Sequence, residues 1–180
     1  MNFEAVASDC GVPARTVREY FRILEDTLVG YLLAPYKKTI KRKPVSTSKF
    51  YFFDVGVCNT LAGIRNIRPK TALFGKVLEH FIFTEIRAYL SYARDRRKLT
   101  FWRSKSGYEV DFLIGDDTAI EVKASELITE KHLKGITALS EEVVPENRIV
   151  VSLDNSSRTI DGIIVMSVDR FLENLWKGNY

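Results

Sequence analysis

Cysteine is scarce in this sequence: Cys10 and Cys58 are the only two among 180 residues. One pair cannot staple a disulfide framework, so the fold must rest on its core, and a reducing, cytoplasmic location is expected. Histidine is equally rare, and His80 and His132 stand in no zinc-like spacing with the cysteines, so no structural zinc site is expected. No run of about 18 apolar residues is present to cross a bilayer as a helix, so no membrane partner is expected. The start, Met1-Asn2-Phe3-Glu4, lacks the basic and apolar regions of an export signal. What remains is ordinary globular composition, 46% hydrophobic and 12% aromatic, sufficient for a real core and unlike a disordered chain.

Charge is unevenly placed. The first 72 residues carry 12 basic and 6 acidic side chains, whereas the other 108 carry 15 and 17. In the basic part, Phe3 to Cys10 suits a short helix with Phe3, Val6 and Ala7 inward, Gly11 supplies a turn, and Pro13 opens a second helix. There Val17, Tyr20, Phe21 and Leu24 form one apolar stripe, with Arg15, Arg18, Glu19 and Arg22 off it. A strand over Leu28 to Ala34, a basic loop and the aromatic strand Phe50 to Phe53 follow. The segment resembles a winged helix-turn-helix lacking the helix that normally precedes the pair. Pro13 to Glu25 takes the recognition-helix position, and Lys37, Lys38, Lys41, Arg42 and Lys43 decorate the wing. Arg15, Arg18, Arg22 and the wing cations are therefore candidate nucleic-acid contacts; packing of the helix pair against a neighbouring domain is the alternative.

The second part begins with a helical pattern in which Val77, Leu78, Phe81, Ile82, Ile86 and Tyr89 make a broad apolar face. Glu79 lies at its edge and Glu85 nearer its middle, where a carboxylate needs a partner. Gly75, four residues before Glu79, offers room for a close approach. Three strand-like stretches follow: Leu99 to Arg103, Tyr108 to Ile114, and Thr118 to Ala124. Alternation sends Val110, Phe112, Ile114, Ile120, Val122 and Ala124 to one face, and Glu109, Asp111, Glu121 and Lys123 to the other. With Gly115-Asp116-Asp117 as a three-residue loop, Ile114 pairs with Thr118 and Asp111 faces Glu121 at roughly 5 Å between Cβ atoms. Opposed carboxylates repel unless a cation joins them, and Mg²⁺ or Mn²⁺ would suit Asp111, Glu121 and Glu79. Lys123 could then orient water or stabilise phosphate charge. An amphipathic hairpin that merely faces water is the plainer alternative.

Gly75-x-x-x-Glu79, Asp111 and Glu121-Val122-Lys123 together resemble the signature of the PD-(D/E)XK nuclease superfamily, although Val110 stands where the motif's proline would be. Lys49-Phe50-Tyr51-Phe52-Phe53-Asp54-Val55-Gly56, Phe101-Trp102-Arg103 and the two acidic stretches are similar to the C-terminal domain of unknown function of prokaryotic AAA-type ATPases. No Gly-x-x-x-x-Gly-Lys-Ser/Thr is present, so ATP hydrolysis does not carry over. The resemblance implies an α/β chain with a restriction-endonuclease-like mixed β-sheet flanked by helices (residues 54–180), preceded by a partial winged helix-turn-helix (residues 1–53). It further implies a Mg²⁺-dependent DNA phosphodiesterase site with catalytic Glu79, Asp111, Glu121 and Lys123, the three carboxylates being the metal ligands. A catalytically inactive DNA- or protein-binding accessory domain of an ATPase partner is the other reading.

The rest is read as architecture: a helix from Glu130 to Ser140 carrying Lys131, His132 and Lys134, strands at Arg148 to Leu153 and Ile163 to Met166, and a closing helix Val168 to Trp176. Arg94, Arg96, Arg97, Lys98, Arg103 and Lys105 surround the first meander strand, with Trp102 and Tyr108 available to stack if exposed.

Overall fold

A computed structural model describes residues 1–180. Helix α1 (Phe3–Cys10) is capped by the Asn2 side chain and ends at Gly11, whose φ of 66° makes the tight turn into α2 (Ala14–Asp26). The expected inward stripe of α2 is only partly realised. Val17 is buried, but Tyr20 is 60% exposed, because α2 packs through Phe21, wedged edge-on between Phe3 and Phe50.

Strands β1 (Gly30–Leu33) and β2 (Lys49–Phe52) form an antiparallel ribbon, as expected. The loop between them is no free wing. It runs along the edge of the main sheet, with Tyr36 N–H donating to Phe101 O at 2.7 Å and Val45 N–H to Arg103 O at 2.9 Å. Its basic tip is caught by Glu142, whose carboxylate accepts the backbone N–H groups of Ile40, Lys41 and Arg42. The short helix α3 (Val55–Leu61) then leads to α4 (Ala72–Tyr92), capped by the Thr71 hydroxyl.

The sheet has six strands: β3 (Leu99–Arg103), β4 (Glu109–Ile114), β5 (Thr118–Lys123), β6 (Asn147–Ser152), β7 (Arg158–Ile160) and β8 (Ile163–Ser167), in the order β3-β4-β5-β6-β8-β7. The first three form the expected antiparallel meander; β5, β6 and β8 are parallel, and the sheet is mixed. A 3₁₀ turn, Glu130–His132, and α5 (Lys134–Ser140) make the crossover from β5 to β6. Helix α6 (Val168–Trp176) closes the chain, and its Trp176 indole donates to Glu85, the partner that carboxylate required.

Two apolar layers sandwich the sheet. On one face α4, α6 and the β1–β2 ribbon cover Phe101, Phe112, Ile114, Ile120, Val122, Ile149 and Val151. On the other, α5 and the Tyr36 loop cover Trp102, Val110, Leu113, Ala119 and Val150. Leu33 and Tyr51 of the ribbon belong to the first layer, and Tyr51 stacks on Phe83 at 4.1 Å, so residues 1–53 share the core of the rest.

The candidate carboxylate site at the fork of two strands

The hairpin register is the expected one where the strands pair: Ile114 faces Thr118, Leu113 faces Ala119 and Phe112 faces Ile120. Pairing ends there. Between Thr100–Leu113 and Trp102–Val110 one intervening residue of β3 matches two of β4, a bulge at Asp111–Phe112 that turns β4 away from β5. Asp111 fills the fork, its Oδ2 accepting the Val122 N–H at 2.9 Å, a donor the departing strand no longer serves.

The bulge corrects the simple alternation. Val110 lies with Leu113 and Ala119 under α5, not with Phe112 and Ile114, and Asp111 turns to Lys49 of the ribbon, which also holds Glu79 of α4. Glu121 keeps the parity of Ala119 and points to α5. The two carboxylates expected to share a face are therefore held by different partners.

Asp111 Oδ1, Glu79 Oε1 and Glu109 Oε1 converge on the Lys49 ammonium at 3.1, 2.8 and 2.8 Å. Lys49, at the start of β2, is only 19% exposed and also lies 5.3 Å from the Phe101 ring centroid. Burial alone would lower its pKa, but the fields of Asp111, Glu79 and Glu109 more than reverse this, so the ammonium stays charged. Tyr51 donates its phenol to Glu79 Oε1 at 2.5 Å, and Arg103 takes the second oxygen of Glu109 at 2.9 Å. Burial, reinforced by Glu79, holds that phenol protonated far above its ordinary range.

Glu121 Oε1 meets Lys123 Nζ at 2.5 Å, while its Oε2 is buried without a hydrogen-bond partner. Burial is the main cause that pushes the Glu121 carboxyl up to about 7 despite the adjacent ammonium. The opposite wall is Gly135 of α5: a Cβ there would stand 1.9 Å from Glu109 O and 2.6 Å from Glu121 Oε2. Gly75, by contrast, faces Ala124 at ordinary contact distance, 3.8 Å, and is not the close approach expected of it. Gly135→Ala must push α5 off the fork and is expected to lower unfolding stability by about 1–3 kcal/mol, measured by urea denaturation.

The Mg²⁺ implied by the resemblance needs hard oxygens that are free of other cations. Here the carboxylates that converge are Glu79, Glu109 and Asp111, a Lys49 ammonium occupies their common point, and Glu121 is committed to Lys123. The arrangement as it stands does not fit the ion.

The expected nucleic-acid contacts of the first segment are largely paired. Arg15 pairs with Glu19, Arg18 with Glu4 and Arg22 with Asp26, all at the surface. Lys38 reaches Asp116, Lys41 donates to the Glu141 carbonyl, and Arg42 binds Glu141 beside Glu142; Lys37 and Lys43 are exposed. In the cluster around β3, Arg97 is structural, bound to Asp95, Asp117 and the Tyr180 carbonyl. Trp102 is fully buried, with its indole on the Thr39 hydroxyl, and Tyr108 is 37% exposed.

Beside Glu121 and Lys123 opens a cleft of about 460 Å³ walled by Tyr108, Glu109, Lys131, Lys134 and Gly135. Lys131 and Lys134 are exposed cations of this wall. Counted with Lys49, Arg103 and Lys123, they set five cations against the four carboxylates Glu79, Glu109, Asp111 and Glu121. By this count the fork is slightly positive.

No protein of curated function and no solved structure matches the chain. Residues 1–68 match the family model of a domain of unknown function, DUF8612. Residues 74–171, which include α4, the hairpin, the fork and α5, match a second model over more than half of the chain, and on that match the protein belongs to the family of the domain of unknown function DUF4143.

Proposed function

We propose that this chain is a non-hydrolytic, nucleic-acid-binding accessory module, built on a nuclease-like hairpin and serving an AAA-type ATPase. The observation that carries the reading is the charge state of the fork. The positions that would hold a metal in the PD-(D/E)XK pattern are neutralised from within, Glu79 and Asp111 by Lys49 and Glu121 by Lys123. Lys131 and Lys134 are left facing the cleft. Phosphodiester oxygens would be held there by ammonium groups, as point charges, with no bond broken. The association with an ATPase rests on the similarity of the Lys49–Gly56 stretch and the acidic motifs to the C-terminal domains of such proteins.

One observation favours the hydrolytic alternative, a Mg²⁺-dependent DNA phosphodiesterase using Glu79, Asp111, Glu121 and Lys123. Glu121 Oε2 is buried without a partner, as a ligand oxygen awaiting a ligand would be.

One experiment separates the two. Linear, branched and single-stranded DNA are incubated with the protein in Mg²⁺, Mn²⁺ or EDTA, and the same samples are titrated for binding. The expected outcome is binding in EDTA that weakens steeply with salt, no cleavage, and wild-type affinity for Asp111→Ala. Lys131→Ala with Lys134→Ala should weaken binding about tenfold and reduce the salt slope by about two. Metal-dependent cleavage abolished by both Asp111→Ala and Lys123→Ala would replace this reading with the hydrolytic one.

A further inference from the structure

We infer that the fork carries a slot for one unstacked nucleobase, and that the module selects single strands whose bases bear an exocyclic amino group. The inference deepens the nucleic-acid reading and rests on it. A second cleft, of about 360 Å³, opens beside the phosphate-facing one, and the two share Tyr108 and Lys134. That size lies in the range of small-ligand sites, about 300–1,000 Å³, and is ample for a nucleobase. A strand with a phosphate on Lys123, Lys131 and Lys134 would place the adjoining base across Tyr108 into this cleft.

Tyr108 is built to hold still. Its backbone N–H donates to the Ser104 hydroxyl at 3.1 Å, the preceding Gly107 takes φ of 93° to close the turn, and the Ser104 and Ser106 hydroxyls lie 2.9 Å apart. The Arg42 guanidinium lies 5.4 Å from the ring centroid, itself fixed by Glu141 and by the Ala138 carbonyl. Such a preorganised ring loses little freedom on stacking, and every base has a face to offer it.

The walls give the selectivity. Leu133 and Ala138 supply apolar surface, and Glu130 and Asp161 supply carboxylates with no ion pair of their own. Carboxylates accept hydrogen bonds from the amino groups of cytosine, adenine or guanine; thymine and uracil offer only an N3–H flanked by two keto oxygens, which repel an approaching carboxylate. A base can enter only after leaving its stack, so a closed duplex binds through the lysines alone.

The test measures affinities of the full chain by fluorescence anisotropy for deca-deoxycytidine, deca-deoxythymidine and a blunt duplex at one low salt concentration. The expected result is a preference for the cytidine strand over the thymidine strand of about fivefold or more. Tyr108→Ala should weaken the cytidine strand about tenfold, Tyr108→Phe should restore it, and neither should move the duplex. Glu130→Gln with Asp161→Asn should make the two single strands equal. Asp161 has φ of 50°, which asparagine accepts, so this pair of changes leaves the backbone unstrained. Equal affinity for the two single strands in the wild type, or an unaffected Tyr108→Ala, would overturn the slot while leaving the phosphate-binding reading standing. No salt-dependent binding of any of the three would remove both.

Discussion

Replacing Lys49 by methionine is expected to destabilise the fold by about 3–5 kcal/mol at pH 8, more than any other single change at the fork. Methionine fills nearly the same volume, so the loss is electrostatic rather than a cavity. Three partly buried carboxylates, Glu79, Glu109 and Asp111, would lose the ammonium that sits 2.8–3.1 Å from each, and only Glu109 would retain a second cation, Arg103. The variant should recover as pH falls. Uncompensated carboxylates relieve their repulsion by binding protons in the folded state that the unfolded chain does not bind until lower pH. Their contribution is therefore favourable in acid and lost as pH rises. Urea melts at pH 5 and pH 8 read this directly: the deficit relative to wild type should be at least halved at the lower pH. An equal deficit at both would mean that Lys49 acts through packing against Phe101 and not through its charge.

That Lys49 governs the site could not be read from its neighbours in the chain. The sequence places it at the head of an aromatic strand, and it is drawn to carboxylates 30, 60 and 62 positions away by the docking of the ribbon on α4. Local patterns were informative where local physics decides. The closing helix has the predicted bounds Val168–Trp176, and the hairpin turn at Gly115–Asp117 sets the predicted pairs. Alternation then misassigned Val110 and Asp111, because a bulge inverts parity without a mark in composition. Gly135 was missed for a related reason: a glycine early in a helix looks like a weak position until the Glu109 carbonyl is seen against it. The three-residue strand β7 and the two-turn helix α3 are too short to show a period. The basic loop looked like a wing because its capturing residue, Glu142, lies about a hundred positions downstream.

The same fork should respond to pH within the physiological range through Glu121. Its carboxyl is pushed up to about 7, above the ordinary value of 4.5, chiefly by burial between β5 and α5. A carboxyl whose folded pKa lies above the unfolded one favours the fold in acid, and this contribution is lost as pH rises from about 4.5 through about 7. The full cost at pH 8 is on the order of 3 kcal/mol. Glu121→Gln keeps the shape and removes the charge. It should leave stability nearly unchanged at pH 4.5 and raise it at pH 8 by about 1–3 kcal/mol, the lower figure applying if Lys123 gives up most of its pairing with Glu121. Binding should follow the same titration in the same sense as this contribution to stability: protonated Glu121 releases Lys123, the cleft gains one positive charge, and nucleic-acid affinity rises as pH falls from 8 to 6. In Glu121→Gln the charge is gained permanently, so affinity at pH 8 should match wild type at pH 6 and lose most of its pH dependence. An affinity profile unchanged by the substitution would place the phosphate contacts away from Lys123.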